Sequence, residues 1–105
     1  MRAYILLLIV VVTAGGCASS LVREQARIVA TDIGIAEEEV TTLAQQASAR
    51  HQRPIAWIRM SWVVDGTFEV GLSDQAGSLH GIVVIFRKVN GRWQEDPSSQ
   101  MPWIV

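Results

Sequence analysis

The sequence IAWIRMSWVVDGTFEVGLS, residues 55–73, carries apolar side chains at every second position on each side of its middle, with the period of two that is typical of a β-strand. Asp65-Gly66 interrupts the alternation near its middle and signals a turn. We therefore predict an antiparallel hairpin with one apolar face. That face carries Ala56, Ile58, Met60, Trp62 and Val64 before the turn and Phe68, Val70 and Leu72 after it.

The register of this hairpin follows from keeping its apolar residues on one face. A two-residue loop places Trp62 opposite Glu69, which separates the apolar faces. A three-residue loop, residues 64–66, unites them, whereas a slip of one residue moves every side chain to the other face. We therefore predict a three-residue loop with a glycine bulge and place Trp62 in the core. The predicted pairs are Trp62–Phe68, Met60–Val70 and Ile58–Leu72.

Two further strands follow the hairpin. Residues 81–86, GIVVIF, are apolar on both faces, which predicts a central strand from about Leu79 to Val89. Asn90-Gly91 indicates a second turn, and a fourth strand begins at residues 92–95. The tail, residues 97–105, either docks as a last strand or stays loose.

A helix precedes the hairpin. Residues 35–51 carry apolar side chains at helical spacing, glutamates in the first turn and basic residues in the last, which complements the helix dipole. Pro54 ends the helix. Residues 21–30 fit either a short helix, with Val22, Ala26 and Val29 on one face, or an extended arm. The apolar face of the main helix consists of Ala36, Val40, Leu43 and Ala47.

The N-terminus has the order of features found in an export signal. Met1-Arg2 is followed by the uncharged apolar run of residues 3–13, the small residues Ala14-Gly15-Gly16, and then Cys17. This stretch is shorter than the roughly 20 residues that cross a bilayer. An ordinary secretory signal, an uncleaved anchor and a buried strand at residues 4–12 are the alternatives.

Ala14-Gly15-Gly16-Cys17 resembles the lipobox of bacterial lipoproteins, although Ala14 stands where the family usually has Leu. The resemblance implies cleavage after Gly16 and a diacylglyceryl group on the Cys17 thiol, with further acylation of the new amino group. Ala18 differs from the Asp of inner-membrane retention, which implies the outer membrane, facing the periplasm, in a diderm bacterium. The chain is then a signal peptide (1–16), a lipidated cysteine with a short linker (17–20) and one domain (21–105).

The expected fold is α+β, with one main helix packed on a curved antiparallel sheet of about four strands, preceded by a cleaved signal segment. The domain resembles the cystatin-like and nuclear-transport-factor-like folds, and FRKVNGRW, residues 86–93, is similar to the last hairpin of the latter. That resemblance implies a helix in the concave face of the sheet. A fold alone assigns no function.

The sequence contains no pattern that indicates catalysis or a metal. His51 sits at a helix end where a cation is favourable, and His80 begins a strand. Ser78 and Asp74 near His80 do not amount to a hydrolytic triad. The net charge of −1 does not favour nucleic-acid binding, and the single cysteine excludes an internal disulfide. We expect no cofactor beyond the covalent lipid.

Four tryptophans are the remaining feature. Trp57 shares a strand face with Arg59, and aromatic residues outside a core often mark binding surfaces. We therefore name Trp57, His80 and Trp103 as candidate binding residues. The expected function is non-enzymatic: a membrane-anchored envelope lipoprotein that binds a protein or other envelope partner. The alternative is a small-pocket enzyme or ligand-binding domain, with its cavity between helix and sheet and His80 at the rim.

Overall fold

The computed structural model describes residues 20–62, 64–75, 78–96 and 101–104, so the export segment and Cys17 lie outside the described residues. Two helices pack on an antiparallel sheet, and the fold is α+β. The strand order is β1-β2-β3-β4, with β5 also paired to β3. The elements are α1 (Ser20–Ile33), α2 (Glu37–His51), β1 (Ile55–Met60), β2 (Phe68–Ser73), β3 (His80–Val89), β4 (Arg92–Glu95) and β5 (Met101–Ile104).

The two helices pack through small side chains. Of the two alternatives for residues 21–30, the helix is observed, and it begins at Ser20, inside the predicted linker. α2 begins at Glu37, two residues after the predicted start, so Ala36 of the predicted apolar face precedes the helix and is exposed. The helix ends as predicted before Pro54, where Gln52 takes a left-handed conformation. Small residues let both helices approach their neighbours closely. The residues they bury are Val22, Ala26, Val29 and Ala30 of α1 and Val40, Ala44 and Ala47 of α2.

The first hairpin differs from the prediction in its loop. Phe68 lies opposite Met60 and not opposite the predicted Trp62, a shift of two residues. Ser61 N donates to Thr67 O at 3.0 Å, so the connection between the strands is longer than predicted. The three-residue loop with a glycine bulge was therefore wrong. The longer loop is stabilised by its own polar groups, because Thr67 Oγ1 donates to Val64 O at 2.6 Å and Val64 N donates to Ser61 Oγ.

The position of Trp62 changes most as a result of this shift. The prediction placed it in the core, but it lies in the loop, outside the ladder, and its surface is 87% exposed. The predicted faces survive, because a shift of two residues preserves the alternation of side chains. A bulge in β1 changes one further position. Ile55 pairs with Leu72 and Trp57 with Gly71, so Ile55 packs against the core in place of the predicted Ala56.

The later strands follow the prediction. β3 lies in the middle of the sheet, with β2 on one side and β4 and β5 on the other. Asn90 and Gly91 both have positive φ, 53° and 79°, as a tight hairpin turn requires. The tail, for which two outcomes were open, docks: β5 pairs with residues 80–83 of β3.

The core lies between the helices and one face of the sheet. Phe68 stacks on Phe86 with ring centroids 5.1 Å apart, and Trp93 tilts against Phe68 at 5.4 Å. The backbone N–H of Ile58, on the outer edge of β1, donates to Gln25 Oε1 of α1 at 2.9 Å. α1 therefore covers the free edge of the sheet as well as its face, which protects the edge from pairing with another chain.

Candidate binding surface on the outer face of the sheet

Residues from four strands meet on the sheet face that points away from the helices. Strand alternation puts Trp57 and Arg59 of β1 on this outer face, together with Glu69 of β2. β5 adds Trp103, which pairs with Gly81 of β3. The structure thus brings together two of the three candidate binding residues, Trp57 and Trp103.

Trp57 lies flat on the backbone of β2. A Cβ atom built on Gly71 would come within 2.2 Å of Trp57 Cε2, so only glycine accepts the indole in this position. Trp103 meets Trp57 edge-on, with ring centroids 5.9 Å apart and an interplanar angle of 63°, a favourable aromatic geometry. The two indoles together cover the middle of the sheet.

Trp103 is held by hydrogen bonds as well as by packing. Its Nε1–H donates to Ile82 O at 3.0 Å and to Leu72 O at 3.2 Å, across the β2–β3 pair. Gly81, opposite Trp103, is also tightly enclosed: a Cβ there would lie 1.8 Å from Leu72 O. Trp103 therefore joins β5 to the sheet, and its polar atom is already satisfied.

Glu69 is the buried acid of this face. Its side chain is 4% exposed, and its two oxygens accept from Arg59 Nε at 2.9 Å and from Ser61 Oγ at 3.1 Å. A buried carboxylate needs such partners, since unpaired it would be strongly destabilising. Glu69 thereby fixes the guanidinium of Arg59 on the surface of the sheet.

Arg59 lies between two indoles. Its Cζ is 4.2 Å from the ring centroid of Trp57 and 5.4 Å from that of Trp62, within the range of cation–π attraction. We call the residues Trp57, Arg59, Trp62 and Trp103 the outer aromatic surface. Trp57 and Trp103 are half-buried in it, whereas Trp62 is the most exposed large apolar residue among those described.

His80, the third candidate residue, lies elsewhere. It begins β3 on the opposite sheet face from its neighbour Gly81, and its Nδ1 is 2.5 Å from Asp74 Oδ2. Arg53 Nη1 also contacts Asp74. Ser78 Oγ donates to the backbone carbonyl of His80 and makes no described contact with the ring, so these residues do not form a triad. They form an exposed ion-pair cluster.

His51 lies in the last turn of α2, as expected, and it also contacts a carboxylate on the sheet. Its Nε2 lies 2.7 Å from Glu95 Oε2, and Arg50 Nη1 lies 2.7 Å from Glu95 Oε1. Glu95 of β4 is therefore a buried anchor for the last turn of α2. Sequence reasoning missed both Glu95 and Glu69, because each reaches its partner only through the sheet register.

Three further features of the described residues bear on function. No three His, Cys, Asp or Glu side chains converge there as a metal site would require. Neither described helix has the length and apolar character needed to cross a membrane. An open depression of about 380 Å³ lies at the hairpin end of the sheet, lined by residues 64–67 and 87–89, apart from the outer aromatic surface.

Comparison with known proteins adds no assignment: no family model, curated protein or solved structure matches this chain.

The ion-pair cluster makes a testable prediction about pH. The hydrogen bond from Arg53 is the main cause that lowers the pKa of Asp74 below its usual value, and His80 adds to it. Any stability that this contact contributes is present above the usual Asp pKa and is lost as pH falls through the lowered one. We expect Arg53→Gln to raise the pKa of Asp74, measured by NMR titration of the carboxyl carbon.

The control for this titration is Arg50→Gln, which removes a similar exposed guanidinium from Glu95 instead of Asp74. It should leave the Asp74 titration unchanged. An Asp74 pKa that is the same in the wild type and in Arg53→Gln would show that the contact with Arg53 does not persist in solution.

Proposed function

We propose that this chain is a lipid-anchored protein of the bacterial cell envelope that binds a partner through the outer aromatic surface and catalyses no reaction. The lipobox resemblance of Ala14-Gly15-Gly16-Cys17 supports the anchor. Two or three acyl chains at Cys17 would hold the domain stably on a membrane, whereas one chain binds only marginally. In a diderm bacterium the domain would face the periplasm from the outer membrane. No cofactor other than the covalent lipid is needed.

The exposure of Trp62 carries the binding proposal. A freely exposed indole leaves a large apolar surface in water, and burial against a partner would recover that free energy. Trp62 is also pre-ordered, because the hydrogen bonds of Ser61 and Thr67 hold its loop and Arg59 lies beside its ring. Ordered Trp and Arg side chains are enriched among the residues that dominate binding energy in interfaces.

The charge of the surface favours a protein partner. Glu69 offsets the guanidinium of Arg59, so the surface offers flat aromatic area with little net charge. A polyanion requires several unpaired basic groups, which this arrangement does not provide. Apolar and aromatic side chains of another envelope protein fit it better.

One observation favours the alternative, a small-pocket enzyme or ligand-binding domain. A histidine whose Nδ1 contacts a carboxylate, as His80 contacts Asp74, is the arrangement that orients an imidazole for proton transfer. Against this, both side chains are substantially exposed, and the helix–sheet interface beside them is occupied by a cluster of buried apolar residues. A ligand whose binding is abolished by His80→Asn and not by Trp62→Ala would favour this alternative.

The lipid anchor makes the first prediction of this proposal. We expect mass spectrometry of the mature protein to show a chain that begins at Cys17 and carries diacylglyceryl and acyl groups. Cys17→Ser, which keeps a hydroxyl in place of the thiol, should remain unmodified and be lost from the membrane-bound, acylated fraction. A wild-type chain with a free thiol, or one that still begins at Met1, contradicts the anchor.

The second prediction of this proposal concerns partner binding by the outer aromatic surface. Truncation of an interface hot spot costs about 2 kcal/mol or more, which is roughly a 30-fold loss of affinity. We expect Trp62→Ala to lose the envelope protein that the acylated wild type captures, with a change in unfolding free energy within about 0.5 kcal/mol. The matched control is Leu79→Ala, another exposed apolar residue (64%), which should capture normally.

The readout is quantitative capture from solubilised envelopes, with sacculi and lipid vesicles assayed beside them. Equal capture by the wild type and both variants would contradict the assignment of this surface. Binding to sacculi or vesicles that depends on Trp62 would replace the protein partner with a glycan or a lipid.

A further inference from the structure

α1 carries a second apolar strip on its outward side. Leu21 is 61% exposed and Ile28 is 48% exposed. They are seven residues apart, about two helical turns, so they share one side of the helix. This strip is distinct from the buried side of α1, where Val22, Ala26 and Val29 pack into the core.

The length of chain before α1 limits where this strip can lie. Cys17 and Ser20, the first residue of α1, are three Cα–Cα steps apart, so their Cα atoms are at most about 11 Å from one another. If acyl chains on Cys17 enter the bilayer, the first turn of α1 is held at the lipid headgroups. Leu21 belongs to that turn.

From these two observations we propose that Leu21 and Ile28 rest on the bilayer that holds the anchor, so that α1 is an interfacial helix. This inference rests on the proposed lipidation of Cys17. A helix that lies in the plane of the membrane surface buries an apolar side among the lipids. Asp32 is on the same side one turn beyond Ile28 and is exposed, so the contact ends before it.

The proposed contact of α1 with the bilayer depends on apolar side chains and not on charge. Arg23 and Arg27 are balanced within α1 by Glu24 and Asp32, and Arg27 is paired with Glu24. The helix therefore has no net charge to attract anionic lipids, and its contact with the bilayer should be insensitive to salt.

This docking would also orient the sheet. Gln25 lies between this strip and the buried side of α1, and it accepts the hydrogen bond from Ile58 N at the edge of β1. The β1 edge is then the edge next to the bilayer. The opposite edge, formed by β4 and β5, points away from it.

The experiment places a fluorescent thiol probe on the full, acylated chain in vesicles of phosphatidylethanolamine and phosphatidylglycerol. Cys17 is the single cysteine, so once it is acylated an introduced cysteine is the sole free thiol. The test positions are Leu21→Cys and Ile28→Cys. The controls are Arg23→Cys, on another side of the same helix, and Met101→Cys, which is 44% exposed on the distant edge. Quenching by brominated lipid is compared with quenching by aqueous iodide.

We expect brominated lipid to quench the probes at Leu21 and Ile28 severalfold more than those at Arg23 and Met101, at low and at high salt. Iodide quenching of all four probes, in protein that carries the acyl groups and floats with the vesicles, overturns the docking while the anchor stands. If the probes at Leu21 and Ile28 are shielded from both quenchers, another protein surface covers them, and this result also overturns the docking on the bilayer. Protein that is unmodified at Cys17 and does not float shows that the proposed anchor itself has failed.

Discussion

Every residue of β2 is buried, although the helices cover only one face of the sheet. A strand in this position needs a second layer, because a sheet face left open would expose its apolar side chains to water. Here the chain supplies that layer itself. Trp57 from β1 and Trp103 from β5 cover the outer face, and β5 is joined to the sheet by the same indole that does the covering.

Two glycines make this cover possible. Gly71 and Gly81 have no side chains, so the sheet is thin where the indoles lie and side chains from neighbouring strands reach across it. One buried residue of this outer face, Glu69, is charged. Arg59 and Ser61 donate hydrogen bonds to its carboxylate and so satisfy it. The cover ends at the hairpin loop, and Trp62 there continues the aromatic surface into solvent. The same indole–guanidinium packing that shields the sheet leaves one ordered indole, that of Trp62, exposed to solvent where a partner could bury it.

The sequence predicted those features that depend on periodicity. The extent of α2, the central place of β3 and the apolar face of the hairpin all follow from the spacing of apolar residues. The length of the hairpin loop does not follow from periodicity, because a shift of two residues keeps the same side chains on each face. The side-chain hydrogen bonds of Ser61 and Thr67 stabilise the longer loop. Trp62 therefore lies in solvent and not in the predicted core. Trp57 and Arg59 were correctly placed on one face. The contact of Trp57 with Trp103 was not foreseen, because it requires β5 to dock, and the alternation within β1 carries no information about a distant segment.

Hydrogen–deuterium exchange of the four indole N–H groups, followed by NMR, tests directly whether the protein covers the outer face of its sheet with its own indoles. The N–H of Trp103 is bonded to two backbone carbonyls across β2 and β3, and should exchange slowly, like the amides of those strands. The N–H of Trp62 should exchange within the dead time. If Trp103 exchanges as fast as Trp62, the outer face is open and this account of the sheet is wrong.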